Sequence, residues 1–127
     1  TSCREVFKGV VDGTAEAIFQ GRIVVQREAQ GTSADQVTKA LLLSDGARVN
    51  QKPELEIYAD DVKCSHGAAA GQIDREALFY LRSRGLPASV AQRLLIEGFL
   101  GEALGQISDE SVRDAFSRCA LAWLKDR

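Results

Sequence analysis

The first half of the chain carries short runs in which apolar and polar residues alternate, a pattern typical of β-strands. We predict strands over residues 5–11, 17–26, 38–44, 47–50 and 55–65. Turn signals are expected between them, at Asp12-Gly13, Gly31, Asp45-Gly46 and Pro53. No helical pattern separates these runs, which argues against a doubly wound α/β fold and favours a sandwich, a barrel or a β-solenoid.

A weak internal repeat joins two of these runs. The segment Phe7-Lys8-Gly9-Val10-Val11 is similar to Phe19-Gln20-Gly21-Arg22-Ile23, which belongs to the next predicted strand. In a solenoid the rungs cover one another, so an end rung exposes an unpaired edge. If the strands are arranged in this way, we expect the chain to have a tendency to self-associate.

The alternation changes phase near residue 60. Leu55, Ile57 and Ala59 are the apolar positions before this point, whereas Val62 and Cys64 are the apolar positions after it. Because a shift of one residue moves side chains to the opposite face of a strand, we predict a corner at Asp60-Asp61. A new short strand should follow, with Val62, Cys64 and His66 on one face and Lys63 and Ser65 on the other.

The second half of the chain has helical spacing, which begins after the small-residue segment 67–71. Asp74 is expected to cap a helix over residues 75–84, and Gly85 is expected to end it. A second helix should begin at Pro87 or Ala88. Its apolar residues recur at helical spacing, at Val90, Leu94, Leu95, Phe99 and Leu104.

A third helix is expected to run from a cap at Ser108 to Lys125. Its apolar stripe consists of Val112, Phe116, Cys119 and Trp123, and this spacing predicts that Cys119 is a small core residue. Further apolar residues widen the band, at Ala120, Leu121 and Leu124. A helix of this kind is suited to pack on its own domain or to bind a partner.

The residue types of the two halves support a division of the chain. Val, Ile and Thr together number 15 in residues 1–64 and 5 in residues 65–127, whereas Leu numbers 4 and 9. β-Branched residues favour strands and leucine favours helices. The expected fold class is therefore β then α, with a β domain over residues 1–67 and a helical domain over residues 68–127.

Length, charge and cysteine content bear on the class of protein. The chain has 127 residues and a formal net charge of −2, so no global field attracts nucleic acid or acidic membranes. No apolar run reaches the roughly 20 residues of a membrane helix, and no secretory signal opens the chain. The three widely spaced cysteines form no disulfide framework, so free thiols and a cytoplasmic location are expected. The absence of methionine agrees with a piece of a longer protein.

Candidate chemistry is concentrated in Lys63-Cys64-Ser65-His66-Gly67, which contains the single histidine of the chain. On a strand, Cys64 and His66 would lie roughly 7 Å apart and could share a metal ion, although two ligands do not complete a tetrahedral site. Three interpretations stay open. Cys64 and His66 have no functional role, or they belong to a stand-alone metal-binding module that shares its ion with a second chain, or Cys64 is the nucleophile of a hydrolase. The common nucleotide-binding, hydrolase and metalloprotease motifs are absent from the sequence.

A long string of residues around this cluster resembles the SufB/SufD family of iron–sulfur cluster assembly proteins. The string is Leu55-Glu56-Ile57-Tyr58-Ala59-Asp60-Asp61-Val62-Lys63-Cys64-Ser65-His66-Gly67-Ala68. It continues as Ile73-Asp74-Arg75-Glu76-Ala77-Leu78-Phe79-Tyr80-Leu81-Arg82-Ser83-Arg84-Gly85, and Lys52-Pro53-Glu54 and Ala40-Leu41-Leu42-Leu43-Ser44 precede it. The Lys-Cys-Ser-His-Gly form of the cluster is similar to the SufD branch of the family.

The resemblance implies the terminal rungs of a right-handed parallel β-helix followed by a C-terminal helical domain. It implies a scaffold subunit of the SUF system, not an enzyme, that pairs with SufB and docks the ATPase SufC. His66 and Cys64 would then hold metal and serve cluster assembly at the SufB interface, and Leu94 and Phe99 are expected to contact SufC. No cofactor is expected to bind stably to this chain alone, and an iron–sulfur cluster or iron would be transient in the full complex.

Overall fold

A computed structural model describes residues 1–125 and divides the chain into a β unit, Thr1–Gly71, and a helical unit that begins at Gln72. Five strands come first: β1 (Ser2–Val11), β2 (Glu16–Val25), β3 (Thr32–Leu42), β4 (Arg48–Ile57) and β5 (Val62–Gln72). Three helices follow: α1 (Arg75–Ser83), α2 (Ala88–Leu104) and α3 (Glu110–Lys125). The predicted order of strands and then helices is confirmed. Residue 67, after which the sequence suggested a boundary, lies inside β5.

Successive strands alternate between two sheets, one with the order β1-β3-β5 and one that pairs β2 with β4. β1 and β3 are parallel, with Ser2 opposite Ser33. β2 and β4 are also parallel, with Glu16 opposite Arg48. One structural repeat therefore contains two strands, because the chain returns to the same sheet at every second strand. The repeat seen in the sequence joins β1 to β2 instead, and these strands belong to different sheets.

Two corners of the β unit lie one above the other. Gly13 has a φ of 63°, and its carbonyl oxygen accepts a hydrogen bond of 2.7 Å from Ser44 Oγ. A Cβ at Gly46 would lie 2.7 Å from the same oxygen, so only glycine fits there. The turns predicted at Asp12-Gly13 and Asp45-Gly46 are thus confirmed.

The turn predicted at Pro53 is wrong. Pro53 lies within β4, where it is paired with Gly21 of β2. β4 is a strand of a two-stranded sheet, and such an edge position tolerates a residue that has no N–H to donate. The strand predicted to end at residue 50 therefore continues to Ile57.

Small side chains and two polar ones fill the interior of the β unit. Its buried apolar residues are Val11, Val25, Ala34, Ala40, Ala47 and Ala59. Gln36 and Thr38 of β3 are also buried, and Gln36 Nε2 donates a hydrogen bond of 2.9 Å to Glu5 Oε2. The inward face of the first sheet is therefore partly polar.

The helical unit has the caps of α1 where the sequence predicts them. The Asp74 side chain accepts hydrogen bonds from the backbone N–H groups of Glu76 and Ala77, and Gly85 has a φ of 91° just beyond the helix. The cap predicted at Ser108 is wrong, because α3 begins after Asp109. The Asp109 carboxylate accepts hydrogen bonds from Ser111 Oγ and Val112 N, and these bonds lower its pKa from the ordinary value.

α3 turns a different face toward its own unit from the one that the sequence predicts. Its buried and half-buried residues are Arg113, Ser117, Ala120, Leu121 and Leu124. The predicted stripe is exposed instead: Val112, Phe116, Cys119 and Trp123. The interpretation of Cys119 as a core residue is therefore wrong. The small side chains of Ser117 and Ala120 explain the choice of face, because they line a groove of about 260 Å³ beside Gly101 of α2.

Candidate functional site

Cys64 and His66 lie on β5, which starts after the corner predicted at Asp60-Asp61. β4 ends at Ile57 and β5 begins at Val62, so the change of phase in the sequence does mark a corner. Two hydrogen bonds hold this corner against the segment before β3. Gly31 N donates to Asp61 O over 2.7 Å, and Asp61 N donates to Gln30 Oε1 over 2.8 Å.

A third hydrogen bond shows which way the side chains of β5 face. Ser65 Oγ donates to Asp35 Oδ1 of β3 over 2.6 Å. Because successive side chains of a strand point to opposite faces, Cys64 and His66 lie on the face opposite to Ser65. On β3, that face belongs to Ala34 and Gln36, the neighbours of Asp35 in the sequence.

Cys64 and His66 differ in their access to solvent. The Cys64 side chain is half-buried and its thiol is free, whereas His66 is exposed. Within residues 1–125, no group of three or more His, Cys, Asp or Glu side chains is arranged to hold a metal ion. The described part of the chain therefore brings two potential ligands together, fewer than a tetrahedral metal or cluster site requires.

β5 stands at the end of its sheet, in the order β1-β3-β5. From Ser65 to Gln72 every residue is exposed, and residues 67–71 are all Gly or Ala. The sequence suggested that this small-residue segment lies outside the strands, and the structure corrects that prediction. An end strand presents backbone N–H and C=O groups that another strand can pair with. The site thus lies on a surface suited to strand addition.

The segment Lys52-Pro53-Glu54, which precedes the site in the sequence, forms an exposed ion pair. Lys52 Nζ is 2.8 Å from Glu54 Oε1, and this hydrogen bond raises the pKa of Lys52 and lowers that of Glu54. Arg22 Nη1 of β2 makes a similar contact with Glu56 Oε1 at 2.9 Å. These charges lie along the β2-β4 sheet, away from the strand that carries Cys64 and His66.

The two residues predicted to dock a partner on α2 differ in exposure. Leu94 is 44% exposed, and Val90, one turn earlier on the same face, is similarly exposed. Phe99 is half-buried, so part of its side chain is covered within the chain. Leu94 is therefore the more accessible of the two predicted contacts.

α1 adds exposed aromatic side chains that the sequence did not single out as a surface. Phe79 is 74% exposed, and Tyr80 is exposed with the Arg84 guanidinium 4.7 Å from its ring centroid. Both aromatic residues line a cleft of about 800 Å³ that also includes Leu95 of α2. In the sequence, Phe79 lies beside the helically spaced Leu78 and Leu81, which is the signal for its position at the margin of the apolar face. No helix within residues 1–125 combines the length and the apolar character needed to cross a membrane.

Comparison with known proteins gives a family match over most of the chain. Residues 1–99 match the family model described as SUF system FeS cluster assembly, SufBD core domain. An iron–sulfur cluster assembly SufBD family protein of Synechocystis is 47% identical over 115 residues, which are 91% of this chain and 25% of that protein. The iron–sulfur cluster assembly protein SufD of Escherichia coli is 44% identical over 110 residues, 87% of this chain and 26% of that protein. SufD of Bacillus subtilis is 38% identical over 105 residues, 83% of this chain and 24% of that protein. The chain thus spans about a quarter of the length of these relatives.

Proposed function

Because the chain belongs to the SufBD family of the SUF system for iron–sulfur cluster assembly, we propose that it is the C-terminal portion of a SufD-like scaffold subunit. In this role the chain is not an enzyme: it positions ligands and partners and carries out no group transfer of its own. The identity to two proteins named SufD supports the assignment to the SufD branch. The three free cysteines are in keeping with a reducing, cytoplasmic location.

The proposed fold is the end of a right-handed parallel β-helix followed by a helical domain. The parallel pairing of β1 with β3 and of β2 with β4 supports a coil that returns to the same sheet at every second strand. Right-handed connections between parallel strands of one sheet are strongly preferred, which supports the proposed hand. In this arrangement β5 begins a third coil, and its outer edge is open to a second subunit.

The proposed site of cluster assembly is the face of β5 that carries Cys64 and His66, at an interface with SufB. One observation carries this proposal: a thiol and an imidazole share one face of an end strand, and the described residues offer too few neighbouring ligands to complete a site. A partner strand beside β5 would supply the missing ligands. Thiolate and imidazole are suitable ligands for iron and for iron–sulfur species. The cluster is cargo of the complex and is not a resident cofactor of this chain.

Anaerobic reconstitution with SufB and SufC tests the proposal. Wild type and His66→Ala are compared by the visible absorption of the cluster that forms. We expect His66→Ala to fold normally and to form much less cluster. Lys63→Ala, on the opposite face of β5, is the matched control and should behave as wild type. Equal cluster formation by wild type and His66→Ala would contradict the assigned role.

The proposed SufC contact is the exposed part of α2 around Leu94, with Phe99 contributing from its uncovered side. Leu94→Asp should abolish capture of SufC, because a charge at the centre of an apolar contact is not compensated. Phe99→Asp should also abolish capture, although its half-burial makes a folding check by circular dichroism necessary. Ile18→Asp is the matched control, since Ile18 is more exposed than Leu94 and lies on β2. Normal capture by Leu94→Asp would contradict this contact.

A stand-alone metal module is a second candidate, favoured by the number of ligands. Cys64 and His66 of two copies would supply four ligands, which suffice for a tetrahedral ion. Self-association through the open edge of β5 would bring such a pair together. Metal analysis and sedimentation of the purified chain decide between the two functions. Stoichiometric metal in a dimer, lost in both Cys64→Ser and His66→Ala, would favour the module, and a metal-free chain would favour the scaffold.

A further inference from the structure

The side chains beyond the first residues of β5 contribute little to its register. Residues 67–71 are Gly or Ala and are exposed, so they offer no large side chain to pack against β3. Strands of this composition specify their pairing register weakly. A slip of one residue would move Cys64 and His66 to the opposite face of β5. The contacts at the start of β5 therefore matter most for the face that Cys64 and His66 occupy.

Besides the corner bonds of Asp61, the start of β5 has a side-chain contact that distinguishes its two faces, the hydrogen bond of 2.6 Å from Ser65 Oγ to Asp35 Oδ1. On its other side Asp35 faces Arg4 of β1, its partner in the parallel register, and Arg4 Nε lies 3.8 Å from Oδ2. Arg4, Asp35 and Ser65 thus form one polar line across the three strands of the sheet. A short hydrogen bond to a carboxylate is stronger than one between neutral groups.

We propose that Asp35 is a positioning residue that, through Ser65, holds Cys64 and His66 on the same face of the sheet as Gln36. The positioning role does not depend on the proposed function. Only its consequence, that the two ligands face a partner, rests on that function. Asp35 touches neither ligand. Its effect is carried by the alternation of side chains along β5, since fixing Ser65 on one face fixes residues 64 and 66 on the other.

The test uses the full chain with Cys3 and Cys119 replaced by Ser, so that Cys64 is the single thiol. Ser65→Val and Ser65→Thr have side chains of nearly the same shape and differ in the hydroxyl group. Asp35→Ala removes the acceptor of the same bond. The first readout is the alkylation rate of Cys64, which is half-buried in the observed register. The second readout is the ¹⁵N spectrum of the imidazole, because His66 is the single histidine.

We expect Ser65→Val and Asp35→Ala to increase the alkylation rate of Cys64 about fivefold, the factor that corresponds to one hydrogen bond of ordinary net strength. The imidazole signals of His66 should shift in the same variants. Ser65→Thr should restore both readouts to within about twofold of the parent, since its hydroxyl can donate to Asp35. The double variant should match either single one, because both substitutions remove the same bond.

Ser44→Ala is the matched control, since it removes a hydroxyl bond of 2.7 Å at a corner remote from β5 in the sequence. Similar rates for Ser65→Val and Ser65→Thr would overturn the proposal, and so would an equal effect of Ser44→Ala. Both readouts need no partner, so they are independent of cluster assembly. If the chain assembles no cluster but its Cys64 alkylation rate responds to Ser65→Val, the positioning role is supported and the proposed function is contradicted.

Discussion

β3 and β5 are both 11 residues long and belong to the same sheet, yet they are held there by different means. β3 buries Ala34, Gln36, Thr38 and Ala40 on its inward face, whereas none of residues 62–72 in β5 is buried. Polar bonds of Asp61 and Ser65 fix the start of β5. The strand that carries the candidate ligands is therefore the one whose side chains are not buried in the core, so a partner can reach it.

The largest difference between the two strands should appear when a charge is introduced. Ala40→Glu places a carboxylate in the interior next to β1 and should lower the free energy of unfolding by about 3 kcal/mol or more. The same substitution at Ala69, which is exposed on β5, should change it by less than about 0.5 kcal/mol. Urea denaturation followed by circular dichroism measures both. Equal losses at the two sites would show that β5 is also packed in a core.

A smaller difference is expected between two glycines. Gly46→Ala should lower the free energy of unfolding by about 1–3 kcal/mol, because the new Cβ would meet the Gly13 carbonyl oxygen at the stacked corner. A Cβ at Gly67 of β5 meets no atom of the described residues within 4 Å, so Gly67→Ala should be neutral or slightly stabilising. Thermal melting of the two variants makes the comparison. A Gly67→Ala variant as unstable as Gly46→Ala would contradict it.

The smallest effect, with opposite sign, is expected for the hydroxyl groups of the two strands. Thr38 Oγ1 of β3 is buried without a hydrogen-bond partner among the described residues, so Thr38→Val should raise the free energy of unfolding by about 1 kcal/mol. Ser65 Oγ of β5 has a partner, so Ser65→Ala should loosen the strand. Hydrogen exchange of the β5 amides, together with urea denaturation, distinguishes the two outcomes. A loss of stability in Thr38→Val would mean that its hydroxyl is bonded.

The sequence predicted those features that depend on neighbouring residues. The change of phase at Asp60-Asp61 located the corner before the site, and Asp74 and Gly85 marked the ends of α1. Such signals are local, because a cap or a corner is determined by residues within a few positions of it. The grouping of Cys64 with His66 is equally local, since it follows from alternation along one strand.

Features that depend on stacking between distant segments were missed. β3 starts at Thr32, six residues before the predicted strand. The sequence did not indicate this start, because the inward positions Ala34 and Gln36 do not give the alternation of an apolar strand. The two-strand repeat was hidden, since paired positions such as Phe7 and Thr38 differ in residue type. On α3 two apolar faces compete, and packing against α2 decided between them. No local signal distinguishes the face that carries Cys119.

Backbone hydrogen exchange, with and without SufB, shows whether β5 is the strand that meets a second subunit. If β5 is the open edge that meets a second subunit, the amides of residues 62–72 that point away from β3 should exchange rapidly in the chain alone and become protected when SufB is bound. β3 should be protected in both states, because it lies between two strands of the sheet. SufB binding that leaves β5 unprotected, or protection confined to the helical unit, would contradict the account.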